Sequence, residues 1–368
     1  MNSPFAISGK VFSGANKANL FTQLPWVREQ CREKFGFAPF PGTLNLEMAQ
    51  DDIEQFKNIP DKEWKDLVPP DETFCSSRVL PVWVGPVQGV LIQPDAHVAI
   101  HGRHVMEILA PVRLREVLAL KDGDRVEVRL APGKEDTLPG SSSPLFLEAV
   151  IFDLDGTLID SIESYYRIVE IALERLGLPE VPRAKILTAA QNDPFQWEEI
   201  LKAAPGKTLE ETKAEAWKII EAVYPDLFLK NVRPFPQTGA VLRLLRACCI
   251  RIGIVTSTPR KNIQDKMKIL DQAGVAGLVE VVICAGDADR KKPYPDPLIL
   301  CCERMGLDAN ACAYVGDTAM DIAAGKAAGM KTIGVLTGFA GRDDLLQQNP
   351  DRIIDSISDL PSLIRPYG

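Results

Sequence analysis

Asp153 and Asp155 stand two residues apart where the apolar run EAVIF passes into DLDGTLIDS, within Glu148 to Ser161. Carboxylates at the mouth of a buried strand cost free energy unless something pairs with them. A helix cap accounts for one aspartate but not for the second. The same arrangement recurs downstream. Thr256 and Ser257 end IRIGIVTST, Lys292 lies in RKKPYPDPL after VEVVICAG, and Asp317 and Asp321 lie in VGDTAMDIAAGKAAG. In an open parallel sheet the carboxyl ends of the strands share one edge, and chemistry gathers there. These residues together make an acidic pocket with hydroxyls and a lysine, the set that phosphoryl transfer uses. A hard divalent cation takes oxygen ligands, a carboxylate can attack phosphorus, and fixed donors hold the oxygens as charge shifts. Simpler readings exist for single members. Asp321 could only complement a helix dipole, and Lys291 could take the place of Lys292, which is preferred because it directly precedes a proline.

These residues need a scaffold of alternating strands and helices, and the second half of the chain supplies one. EAVIFDL, IRIGIVTST, VEVVICAG, ACAYVGD and KTIGVLTG read as buried strands, each followed by a helical pattern, which predicts a doubly wound parallel sheet. About 70 residues, roughly 162–233, separate the first two strands. That is too long for a crossover and reads as an inserted helical cap. The first half differs. FAISGKVFSG, GTLNLEM, SRVLPVWVG, VQGVLIQP, HVMEILAP and DRVEVRL are short alternating runs between turn signals, with one helical candidate over LFTQLPWVREQCREKFG, and they predict a small β-barrel over 1–131. APGKEDTLPGSSSP reads as a linker at 132–145, leaving 146–368 for the second domain.

Composition narrows the class. The chain has 368 residues, 46% hydrophobic and 25% charged, with a net charge of −8 and no long Lys/Arg stripe, which argues against nucleic acid as a partner. Apolar runs are too short to span a bilayer, and the N-terminus shows no secretory leader. Eight cysteines without framework spacing read as reduced, buried thiols, so a cytoplasmic location is expected. The three histidines, His97, His101 and His104, lie in HVAIHGRH with no interleaved carboxylate or thiol, and read as loop or ligand contacts rather than a zinc site.

Asp153-Leu-Asp155-Gly156-Thr157, the IVTS strand end, Lys292-Pro293 and Gly316-Asp317-x-x-x-Asp321 resemble, in order and spacing, the four motifs of haloacid dehalogenase-superfamily phosphatases with a helical cap. The resemblance covers Leu147 to about Arg365. It implies that Asp153 takes the phosphoryl group covalently while Asp155 protonates the leaving alcohol and then activates water. It further implies that Thr256 and the Ser257 backbone bind phosphate oxygens and that Lys292 offsets charge. Mg2+ is then held by Asp153, the Asp155 carbonyl and Asp317, with Asp321 in support. The acid at Asp155 favours phosphate-ester hydrolysis, with a phosphomutase left open. The cap resembles those of phosphoglycolate phosphatase-like enzymes, implying a small phosphorylated metabolite or a nucleotide-sized one. In TAAQNDPFQWEEILKAA, Gln191, Asn192, Trp197 and Lys202 could face the site, although helix surface and a packed Trp is the simpler account.

GKVFSGANKANLF, GFAPFPGTLNLEM and MEILAPVRLREVLALKDGDRVEV resemble archaeal CTP-dependent riboflavin kinases over residues 5–132. The likeness implies a barrel that transfers phosphoryl from CTP to riboflavin, giving FMN. It places Mg2+ on Thr43 and Asn45, flavin at Glu107, and nucleotide along Val112 to Arg115, which includes Arg113. Gly14 and Lys17 fall in the phosphate loop, which lacks the later glycines of that family, and Ala99 stands where a hydroxyl is expected. Two readings follow. One is a bifunctional enzyme with FMN or another flavin-linked phosphate as a candidate substrate. The other is a phosphatase of phosphoglycolate or sugar phosphates regulated by an inactive front domain that binds flavin or nucleotide. Oligomeric state is not legible.

Overall fold

The computed structural model describes residues 6–14, 18–70, 76–94, 104–130, 144–190 and 197–366. The chain divides into two compact units, Met1–Pro144 with Pro361–Leu363, and Leu145–Leu360 with Ile364–Gly368. Lys17, Ala99, His97, His101, Gln191, Asn192 and most of the expected linker lie outside the described residues.

The first unit is built from β1 (Ala6–Val11), β2 (Leu44–Met48), β3 (Lys65–Leu67), β4 (Ser77–Val84), β5 (Val87–Pro94), β6 (Val105–Leu109) and β7 (Arg125–Leu130). Among the described residues, six of these strands close a barrel in the antiparallel order β4-β5-β6-β2-β1-β7. The pairs Val82↔Leu130 and Val84↔Val128 join its ends, and β3 adds outside β4. Alternation drives it: Ile7, Gly9 and Val11 point inward between Ser8 and Lys10. The single helix expected around residue 25 is two, α1 (Ala18–Gln23) and α2 (Pro25–Phe35). Pro25 has no N–H to continue a helix and instead begins one. Val27, Cys31 and Phe35 of α2 bury against Val79, Val90 and Leu109 of the barrel. Two shorter helices complete the unit, α3 (Gln50–Lys57) and α4 (Leu114–Val117).

The second unit opens with β8 (Leu145–Leu147) and β9 (Ala149–Phe152), followed by β10 (Ile159–Asp160). The cap comprises α5 (Ile162–Arg175), α6 (Arg183–Ala190), α7 (Trp197–Ile200) and α8 (Leu209–Asn231), and β11 (Arg233–Pro234) returns beside β10 at its base. A capping box starts α8, with the Thr208 hydroxyl accepting from the Glu211 amide at 3.2 Å and the Thr208 amide donating to Glu211 at 2.7 Å. Then follow α9 (Thr238–Ala247), β12 (Arg251–Pro259), α10 (Arg260–Asp271), β13 (Val281–Ala285), α11 (Asp296–Met305), β14 (Cys312–Gly316), α12 (Ala319–Ala327), β15 (Lys331–Val335), β16 (Arg352–Ile354) and β17 (Ile364–Pro366), the last pairing with β8.

The parallel sheet has the order β13-β12-β9-β14-β15-β16. Every residue of β9 is buried, as a strand covered on both faces requires. From β9 the chain runs outward through β12 and β13, then returns to β14 on the other side. The reversal therefore flanks β9, and its carboxyl edge is where a doubly wound sheet binds ligands. β16 was not expected; three residues, Arg352–Ile354, are too few to show a period.

Candidate active site

Asp153 follows β9, and its amide donates to the Val315 carbonyl at 2.8 Å, so sheet pairing continues up to the first aspartate. Thr256 and Ser257 lie late in β12, and Asp317 directly follows β14. A cavity of about 650 Å³ opens at this edge, and Asp153, Asp155, Thr256, Ser257, Lys292, Asp317 and Asp321 all line it. The seven positions singled out in the second half of the sequence therefore converge.

Lys292 is the hub. Its Nζ donates to Asp153 Oδ1 at 2.7 Å and to Asp321 Oδ1 at 2.6 Å, with the Tyr314 hydroxyl at 3.1 Å. Burial opposes the charge on Lys292, but Asp153 and Asp321 hold the ammonium well above its ordinary range. Burial also pushes Asp153 up to about 7, against the pull of Lys292. Asp317 is pushed well up by burial and by the charges of Asp153 and Asp321. Its oxygens accept from the Thr157 hydroxyl at 3.0 Å and the Phe339 amide at 2.9 Å. Asp321 is held low: burial raises it, but Lys292 and the Thr318 donors outweigh that. Its Oδ2 caps α12 through the Thr318 amide and hydroxyl, at 3.0 and 2.6 Å, so Asp321 both caps the helix and anchors Lys292.

Two glycines make room for Asp317. Gly156 has φ +78°, a left-handed conformation, and a Cβ there would sit 2.7 Å from Asp317 Oδ2. A Cβ on Gly338 would sit 1.8 Å from the same oxygen.

Asp155 is held from below. Its Oδ2 accepts from Thr258 Oγ1 at 3.3 Å and from Lys266 Nζ, while Oδ1 has no partner among the described residues. Lys266 is 1% exposed and also donates to Thr258 Oγ1 at 2.8 Å and Tyr165 at 3.1 Å. Thr256 directs its hydroxyl at Thr258, 2.9 Å away. Sequence reasoning missed Lys266, Thr258, Tyr165 and Phe339. Lys266 left a signal: Ile263, Lys266 and Leu270 recur at i, i+3 and i+7, so a lysine occupies the apolar stripe of α10.

Among the described residues no three His, Cys, Asp or Glu side chains are spaced to cage a metal by themselves. Mg2+ needs only one or two protein carboxylates and keeps several waters. Of the buried carboxylates at this edge, Asp153 and Asp321 share Lys292 as their ion-pair partner, while Asp317 accepts from the Thr157 hydroxyl and the Phe339 amide.

The family model for haloacid dehalogenase-like hydrolases matches residues 150–335, half of the chain, with all seven of the converging positions inside it. The chain belongs to the haloacid dehalogenase-like hydrolases. Its N-terminal 11–130 match the CTP-dependent riboflavin kinase model, described as a domain of unknown function, DUF120. The phosphoglycolate phosphatases of Escherichia coli K12 and Shigella boydii are each 32% identical over 241 residues, 60% of this chain and 94% of theirs. Among solved structures, a predicted phosphoglycolate phosphatase from Haemophilus somnus superposes with a TM-score of 0.53 at 24% identity, over 59% of this chain and 97% of that one. A protein of the same description from Lactobacillus delbrueckii gives 0.51 at 21%, over 60% and 99%. At those identities the two structures show the shared fold.

In this hydrolase the cap residue Trp197 is 4% exposed, packs with Val169, Leu173 and Ile186, and reaches the cavity lining. Lys202 is exposed. In the barrel unit, Thr43 donates its hydroxyl to Asn45 Oδ1 at 3.0 Å, and Asn45 stands opposite Glu107 across β2 and β6. Those three expected positions therefore lie together. Arg113 pairs with Glu116 at 2.6 Å. Arg115 pairs with Asp122 at 2.7 Å, and Asp122 also accepts from Ser13, next to Gly14, at 2.9 Å.

Proposed function

We propose that the C-terminal unit is a Mg2+-dependent phosphatase acting on a phosphate monoester through an aspartyl-phosphate. The observation that carries this is Lys292, which bridges Asp153 and Asp321 and so holds Asp153 in the cavity that Asp317 also lines. Asp153 attacks phosphorus, a carboxylate–phosphorus bond forms, and the ester P–O bond breaks. Asp155, held by Lys266 and Thr258, gives the departing alkoxide a proton. It then takes a proton from water as water displaces the aspartate, releasing inorganic phosphate. The backbone at Ser257 and the Thr256 hydroxyl orient the phosphoryl oxygens. Asp153, Asp317 and the Asp155 main-chain oxygen would hold Mg2+, which supplies charge to the phosphoryl oxygens. Asp321 lies outside that set because Lys292, Tyr314 and Thr318 already use both of its oxygens.

The barrel unit is read as a second active centre that phosphorylates riboflavin from CTP, with Mg2+ on Thr43 and Asn45. The grouping of Thr43, Asn45 and Glu107 supports it. The names of the curated relatives make phosphoglycolate the first substrate to assay for the phosphatase. An aryl phosphate with Mg2+ tests the mechanism: Asp153→Asn is expected to lower turnover about 10³-fold or more, and full turnover in that variant removes Asp153 as nucleophile.

A further inference from the structure

The cavity is larger, more aromatic and less cationic than a glycolate leaving group requires. Its volume of about 650 Å³ falls in the range that encloses ligands of drug size. Its outer wall is a stripe of α8: Trp217, Ile220 and Tyr224 recur at i, i+3 and i+7, so they share one helix face. Trp197 stands against Trp217 edge to face, with centroids 5.5 Å apart, and Phe339 and Tyr165 meet in the same way at 5.7 Å nearer the aspartates. Trp217 is 45% exposed, an unusual state for a large aromatic ring on a helix that packs a cap.

Charge points the same way. A leaving group that ends in a carboxylate needs a cation to receive it. Among the described residues three lysines and no arginine line the cavity, and each lysine is paired: Lys292 with Asp153 and Asp321, Lys266 with Asp155, and Lys261 with Glu221 at 2.9 Å. Lys261 and Glu221 both line the cavity, with side chains 68% and 64% exposed, and as a pair they present no net charge to a second anion.

We propose that the substrate is a phosphate monoester whose alcohol carries a flat, uncharged aromatic ring system, received by Trp217 and Tyr224 while the phosphoryl group meets Asp153. This deepens the phosphatase reading and rests on it. Aromatic rings stack well on such walls without needing charge. A flavin or a nucleobase would both satisfy the wall, and the assay separates them.

The test uses the full chain with Mg2+ and four probes: FMN, CMP, phosphoglycolate and acetyl phosphate. The expected result is a kcat/KM for FMN or CMP at least tenfold above that for phosphoglycolate. Trp217→Ala is expected to cut the ratio of aromatic to acetyl phosphate kcat/KM at least tenfold. FMN ahead of CMP identifies a flavin ring, and the reverse a nucleobase. Phosphoglycolate or acetyl phosphate as the best substrate overturns the proposal, as does a ratio unmoved by Trp217→Ala. If no ester turns over at all, the phosphatase reading falls and binding decides the wall. FMN fluorescence quenching by Asp153→Asn is then compared with Asp153→Asn/Trp217→Ala. Loss of quenching in the double variant supports an aromatic seat, and equal quenching overturns it.

Discussion

Lys266 and Asp155 form an ion pair in the cavity lining, the lysine buried and the aspartate partly exposed, with side chains 2% and 14% exposed. The same ammonium lies 4.9 Å from the Phe228 ring centroid and 5.5 Å from that of Tyr165, both on cap helices. One lysine therefore fixes the carboxyl group proposed to exchange a proton and ties it to the cap. Its aromatic neighbours supply additional cation–π attraction where water is scarce.

Lys266→Met leaves a partly buried carboxylate without its cation, which costs about 2 kcal/mol of stability. Adding Asp155→Asn removes the orphaned charge, so the double variant is expected to recover more than half of that loss. Denaturant unfolding of the four proteins in the cycle measures it. Strictly additive losses would remove the pairing as the cause.

The pH dependence of stability follows from burial at Asp153 and Asp317. Asp153 is pushed from 3.8 to about 7, and Asp317 is pushed up as well. Between those values the folded protein binds more protons than the unfolded chain. This stability is complete below about pH 4 and is lost as pH rises through about 7. Calorimetry on metal-free protein is expected to show Tm falling by about 5 °C from about pH 5 to 8. Asp153→Asn should flatten that slope, and Mg2+ should restore Tm at the alkaline end. A wild-type slope equal to that of the variant would contradict it.

Gly338→Ala puts a methyl group where Asp317 Oδ2 now lies, 1.8 Å away, so the carboxylate must move. The expected outcome is a rise of about tenfold or more in the Mg2+ concentration for half-maximal turnover, with an unchanged far-UV circular dichroism spectrum. A normal Mg2+ requirement would show that Asp317 is not a ligand.

The parts of this site legible in the sequence are those fixed by short-range pattern. Each strand end announces itself by an apolar run that stops at a polar residue, so Asp153, Thr256 and Asp317 could be placed on one edge before any coordinates. Lys292 was legible through its neighbour Pro293. Thr258, Tyr165 and Phe339 were not, and Lys266 showed only as a lysine in the apolar stripe of α10, because their roles arise from tertiary contacts such as Lys266 to Asp155 and Lys266 to Tyr165. A single sequence gives their types but not their meeting. The stripe of Trp217, Ile220 and Tyr224 was likewise ambiguous, since an apolar helix face reads the same whether it packs on protein or on a ligand. β3 and β16, at three residues each, carry too few positions for a period.

If the barrel unit phosphorylates riboflavin as proposed, the hydrolase unit would hide that activity wherever it consumed the product. Full-length Asp153→Asn given riboflavin, CTP and Mg2+ is therefore the protein in which kinase activity should be visible, as FMN that accumulates and persists. Thr43 donates to Asn45 Oδ1 at 3.0 Å, and Asn45 faces Glu107 across the strands. Removing the hydroxyl leaves Asn45 unoriented and takes away one oxygen ligand, so Thr43→Ala in this background should lower FMN formation about 10²-fold, as loss of a ligand or its orienting partner does at other metal sites. Chromatography of the flavins over time reads the result directly. FMN that forms at the same rate with and without the Thr43 hydroxyl would move the metal elsewhere. Riboflavin that binds but is never phosphorylated would make the barrel a flavin-binding module.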